Sequence, residues 1–135
     1  MSIALIRRAL ESELKAVSPT FNTAWENVSF KPPSASTPYQ EVNILFARPF
    51  NAEVAPNHQE LGYMQVKLMY PLKKGTAAVS TRAELLRSTF TRGNSFTNGG
   101  VTVNITDTPE VLPGIVDDGR FAIIVKIRFR SFIPN

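Results

Sequence analysis

The sequence predicts an α+β domain, a single mixed, mainly antiparallel β-sheet with two α-helices packed on one face. Three observations carry that prediction. Between Leu61 and Gly93 the hydrophobic period changes once, from two residues to three or four, which makes a strand followed by a helix. An apolar stripe of helical spacing, Ile3, Ile6, Leu10, Leu14 and Val17, opens the chain. Near its other end Phe121, Ile123, Val125, Ile127 and Phe129 alternate with Ala122, Ile124, Lys126, Arg128 and Arg130, the pattern of one long strand.

The elements follow in order. Ser2 can cap the first helix, and Ser18-Pro19 ends it because proline disfavours helical backbone at the residue before it. Thr23 to Phe30 reads as a short strand with Val28 and Phe30 on one face and Trp25 out of phase, re-aimed by a bulge or turned to another neighbour. The loop KPPSASTP leads to a second strand, Tyr39 to Ala47, in which Val42, Ile44 and Phe46 alternate with polar Glu41 and Asn43. The connection RPFNAEVAPNHQE is longer than a hairpin needs and carries Phe50 among turn-forming residues, so Arg48 to Glu60 is expected to be mobile until a partner orders it.

The third strand places Met64, Val66, Leu68 and Tyr70 on one face, and Pro71 ends it by removing a donor. Beyond Gly75 comes the second helix, with Thr76 at its N-cap and Gly93 at its stop. Val79, Ala83, Leu86 and Phe90 form its apolar face, with Arg82, Glu84 and Arg87 on the others. Asn98-Gly99 is a hairpin signal between Ser95–Thr97 and Val101–Ile105, and DTPEVLPGIVDDG reads as irregular chain before the last strand.

A length of 135 residues suits one domain, 1–135, large enough to bury its own core. The chain has no cysteine, which excludes a disulfide framework and thiolate chemistry and fits a reducing compartment. Arg7 and Arg8 interrupt what a signal peptide would need as an apolar core, and no run reaches membrane-spanning length, so a soluble, unprocessed protein is expected. The Asn27 and Asn104 glycosylation matches then have no role. A net charge of +4 arises from 15 basic and 11 acidic residues without a dense basic run. That supports only weak nonspecific contact with nucleic acid.

No catalytic constellation assembles from these residues, and neither a cofactor nor a metal is expected. His58 is the single histidine, so a triad or a histidine metal site would need residues from another chain; it reads as a solvated loop residue. Asp107, Glu110, Asp117 and Asp118 lack the spacing of a cation loop, and Asp-Asp-Gly is equally a turn. What remains is surface. Lys126, Arg128 and Arg130 make a basic stripe on the last strand, and Trp25 and Phe50 are the apolar anchors of a candidate assembly interface.

From about Ile3 to Phe132 the chain resembles the tail terminator-like proteins of long-tailed bacteriophages. The resemblance rests on TAWENVSFKPP followed by TPYQEV, on GYMQVKLMYPL, GTAAVSTRAELLRSTF and RGNSFTNGGVTV, and on the closing FAIIVKIRFR, all in that order. It departs in KPPSASTP, where a glycine would be expected before Thr37-Pro38. The resemblance implies a non-enzymatic structural virion protein, assembled in the host bacterial cytoplasm and carried in the virion tail. Its subunits would form a ring, a homohexamer in the virion and a monomer when isolated. That ring would cap the head-proximal end of the tail tube, touching the tail tube protein and the head-tail connector or completion protein. Another neck component is the alternative. A small basic nucleic-acid-binding domain is a further one, against which the sequence offers no aromatic-plus-basic platform.

Overall fold

The computed structural model describes residues 2–51 and 57–134. Its elements are α1 (Ser2–Lys15), β1 (Asn22–Ala24), β2 (Tyr39–Phe46), β3 (Asn57–Tyr70), α2 (Ala77–Thr89), β4 (Ser95–Asn98), β5 (Val101–Ile105), β6 (Glu110–Val111), β7 (Ile115–Asp117) and β8 (Arg120–Pro134). The eight strands form one sheet in the order β1-β2-β3-β8-β5-β4, with β6 and β7 also paired to β8. β1 is parallel to β2 and the other pairs are antiparallel, so the sheet is mixed and mainly antiparallel, as the alternations predict.

β8 is the spine. Its pairing with β3 runs from Asn57↔Pro134 to Tyr70↔Phe121. Its other edge is shared in turn by β7, β6 and β5. The stretch read as irregular, DTPEVLPGIVDDG, therefore contributes two strands. Asp118 (φ 50°) and Gly119 (φ 72°) make the left-handed two-residue turn that joins β7 to β8, which settles Asp-Asp-Gly as a turn. At the other predicted hairpin the turn pair is Gly99-Gly100, one residue later than Asn98-Gly99, and both have positive φ.

Both helices cover the same sheet face, because their apolar residues join one core with the inward residues of the strands. Ile6, Leu10 and Leu14 of α1 and Val79 and Leu86 of α2 are essentially inaccessible to solvent, and each such side chain contributes about 1.5–3 kcal/mol by leaving water. Ile3, expected in that stripe, is 48% exposed. Ser2 is the first residue of α1 rather than its cap, and α1 stops at Lys15, ahead of the Ser18-Pro19 stop. Thr76 holds the N-cap position of α2 without a side-chain hydrogen bond, and the helix ends at Phe90 rather than Gly93. Gly93 instead donates its N–H to Ile105.

Two other expectations change. The strand predicted over Thr23–Phe30 is only Asn22–Ala24, because the chain turns at Asn27 (φ 56°) and leaves Val28 exposed. Arg82, placed on an outer helix face by its charge, is 4% exposed; its guanidinium lies 3.9 Å from the Phe21 ring centroid and Nη1 donates to the Pro19 carbonyl at 2.6 Å. Burial lowers its pKa from the ordinary guanidinium value. No helix among the described residues is long and apolar enough to cross a membrane.

Candidate assembly surface

The helices leave the second face of the sheet to solvent or to loops, and the pairing register fixes which side chains stand on it. Tyr39, Met69 and Ala122 lie side by side at one end. They form a small second core with Phe30, whose ring centroid is 5.3 Å from that of Tyr39. Phe30 thus belongs to a covering loop, not to a strand. The loop is pinned by Arg120, which is 5% exposed. Its Nη1 donates to the Thr37 carbonyl at 2.6 Å, its Nη2 donates to the Pro33 and Ser34 carbonyls at 2.9 Å, and its guanidinium sits 4.7 Å from the Tyr39 ring centroid. Burial pushes the Tyr39 pKa up.

The middle of this face is polar. The Lys67 ammonium donates to the Asp117 carboxylate, and that bond is the main cause raising the Lys67 pKa. Lys126 is half-buried with Nζ 4.9 Å from the Tyr63 ring centroid, and Arg128 donates to Glu110 at 3.1 Å. The stripe is therefore partly engaged within the subunit. Asp107 accepts from Thr106, and no group of three potential metal ligands occurs among the described residues.

The far end is open and apolar. Leu45, Phe50 and Phe132 are 44%, 46% and 58% exposed, with Arg130 5.3 Å from the Phe132 ring centroid. Gln59 pairs with Phe50 on one side and Phe132 on the other, so both rings stand on the same face. Beside them a shallow groove of about 360 Å³ is lined by Gln59, Leu61, Tyr63, Asp107, Arg128 and Arg130. Ala47 opposes Leu61, yet Phe50 opposes Gln59, so Arg48 and Pro49 together face Glu60 alone. That is a bulge, and it is a position where proline's missing donor costs no ladder bond.

Gly62 shapes this end. It stands between Phe46 and Phe129 in the register and, lacking a side chain, lets their rings meet edge-on at 5.6 Å. A Cβ there would lie 2.0 Å from the Leu45 carbonyl oxygen.

The segment expected to be mobile is thus partly ordered within the subunit: Asn57–Glu60 belongs to β3, and residues 52–56 lie outside the described residues. His58, expected in a solvated loop, is half-buried opposite Ile133, with Nε2 2.9 Å from the Glu60 carboxylate.

Of the five candidate interface residues, the register brings Phe50, Lys126, Arg128 and Arg130 to one face. Trp25 stands apart. It is half-buried against the core on the helix side and lines a cleft of about 330 Å³ with Arg8, Glu11, Lys15, Glu26 and Val28. Next to it Glu26 accepts from Arg7 at 2.9 Å and from the Ile44 N–H at 2.5 Å, and Arg7 also reaches the Ile44 carbonyl at 3.4 Å. These two side chains stopper the edge of β2 beyond β1.

Sequence reasoning missed Leu45, Tyr63 and Phe132. Each carried a signal: Leu45 is an apolar residue in the polar phase of β2, Tyr63 lies in the solvent phase of β3, and Phe132 continues the parity of Arg128 and Arg130. Together they make the aromatic-plus-basic surface that the sequence did not reveal.

Several solved protein chains match this one, and one of them superposes with a TM-score of 0.78 at 25% identity, covering 97% of this chain and 96% of that one. Compared with curated proteins, the chain finds no match. The family model described as phage tail terminator protein matches residues 5–129, which takes in both helices' cores, every strand up to β7 and β8 as far as Phe129. The chain belongs to the phage tail terminator protein family.

Proposed function

We propose that this chain is the subunit of a ring, six copies in the virion, that caps the head-proximal end of the tail tube. The ring stops tube polymerisation and gives the head-tail connector proteins a platform. Beyond the family, the observation that carries the reading is the open end of the outer sheet face. There Leu45, Phe50 and Phe132 stand exposed beside Arg128 and Arg130. Aromatic and arginine side chains of this kind supply the anchors of protein interfaces, and a chain with no use for them in its own core has them available for a partner. Isolated subunits remain monomeric until a tube end gathers them.

Electron microscopy of tail tubes assembled with and without the protein tests the reading. Shorter tubes with density at one end are expected; unchanged lengths with bare ends would remove it. A nucleic-acid reading has less support, because Lys126 and Arg130 already lie against the Tyr63 and Phe132 rings and Asp107 lines the groove. Stacking a base there would first displace the protein's own cations.

A further inference from the structure

The two edges of the sheet are finished differently. At the β2 edge, Glu26 and Arg7 occupy the N–H and carbonyl of Ile44, leaving only the three residues of β1 as a free margin. At the other edge, no strand among the described residues lies beyond β4, although α1 packs beside its hairpin turn through Leu5. Ile105 donates to Asn94 at 2.8 Å, and antiparallel pairing alternates. Phe96 and Asn98 therefore turn their backbone groups to β5, while Ser95 and Thr97 turn theirs outward. Both are exposed, and Ser95–Asn98 carries no charge or proline of the kind that discourages added strands.

The free margin of β1 is its counterpart. Ala47 bonds to Leu61, so the odd residues of β2 face β3 and Gln40 faces β1. In a parallel pair Gln40 bonds the two residues flanking its partner, Asn22 and Ala24, which leaves the N–H and carbonyl of Thr23 directed away from the sheet. Asn22–Ala24 is uncharged like Ser95–Asn98, so the two margins do not repel each other. Half-buried Trp25 and 60% exposed Val28 follow it, apolar groups that a neighbour would cover.

We infer that the subunits join by strand addition, the β4 edge of one copy pairing with the β1 margin of a second copy through Thr97 and Thr23. The inference rests on the ring reading and names its joint. One copy offers both halves of the contact, and joining two different patches head to tail is what closes a ring. The stopper at Ile44 limits the added pairing to a few bonds, which keeps the joint too weak to polymerise free subunits and leaves assembly to the tube end.

Thr97→Pro is the direct test. Its lost N–H faces outward, so the subunit should keep its melting temperature within a few degrees, while the concentration needed to form rings or cap tubes rises at least tenfold. Thr97→Val, which loses only the hydroxyl contact with Thr102, should assemble as the wild type does. Normal capping by folded Thr97→Pro would overturn the joint and leave the terminator reading intact.

The chain has no native cysteine, which makes a second test clean. The Thr23 side chain stands with buried Gln40 on the helix side of the sheet and Thr97 on the other, so the direction of pairing decides which residue lies opposite Thr97: Asn22 or Ala24 in a parallel joint, Thr23 in an antiparallel one. Oxidation in concentrated solution, which traps transient joints, should give a ladder of covalent multimers from one of three double variants, Thr97→Cys with Asn22→Cys, Thr23→Cys or Ala24→Cys, whether or not Thr97→Pro folds and whether or not tubes are capped. Single monomers from all three would sink the proposal. So would disulfide dimers from Thr97→Cys alone, which would mean β4 pairing with β4.

Discussion

The two ends of the outer sheet face use the same residue types for opposite ends. At the Tyr39 end an arginine lies over an aromatic ring, three loop carbonyls accept hydrogen bonds from its guanidinium, and Phe30 seals the rest. At the Phe132 end an arginine again lies over an aromatic ring, but both are exposed and no loop of the described residues covers them. Composition does not separate the two. What separates them is whether the chain brings its own carbonyls to the guanidinium, and a pair left without them is available to a partner.

The sharpest way to break this contrast is Arg120→Met, which should strip the covering loop of its clamp. Three hydrogen bonds from a buried cation go, and the expected loss is about 3 kcal/mol in urea unfolding. A loss below about 1 kcal/mol would mean that Phe30 packing alone holds the loop.

At the open end, Gly62→Ala should cost about 2 kcal/mol, because the new Cβ meets a backbone oxygen that has no rotamer to escape into. An unchanged midpoint would show the strand pair to be more pliable than its register implies.

By contrast Phe132→Ser should stay within about 0.5 kcal/mol of wild type while weakening ring formation or tube capping. Equal losses at both ends would erase the distinction between a surface serving the fold and one serving assembly.

The mildest test is alkaline. Lys67 and Tyr39, at or beside the covered end, both have pKa values raised by folding. A raised folded pKa contributes its stability in full below the unfolded value, about 10.4 for lysine and 10 for tyrosine, and loses it as pH climbs through the folded one. The melting temperature should therefore hold to about pH 9.5 and fall above it, with a shallower fall in a Tyr39→Phe/Lys67→Met variant. The same fall in both proteins would place the alkaline weakness elsewhere.

Much of the fold was legible because long strands repeat their signal. Val42 to Phe46, Met64 to Leu68 and Phe121 to Phe129 each alternate over enough residues to fix face and register direction. β6 and β7, two and three residues long, have no room for a period, and only pairing with β8 makes them strands. Arg82 illustrates a different limit: its burial depends on the Phe21 ring and the Pro19 carbonyl, brought to it across 61 and 63 residues of chain. The open end was half legible. Arg128 and Arg130 announced their face, but the link from Phe50 through Gln59 to Phe132 depends on a bulge at Arg48-Pro49 that local composition does not encode.

The position of β8 also sets a timetable. It pairs with β3, β5, β6 and β7, and every one of them leaves the ribosome before it. During synthesis β3, with fourteen residues of strand, has no partner on that side until fifty residues later, and closing so long a loop is slow. A chain broken off before Arg120 would not be a trimmed protein; it would be a set of unpaired margins prone to association with one another. The sheet is completed from its middle, and β8 is the strand for which β3, β5, β6 and β7 all wait.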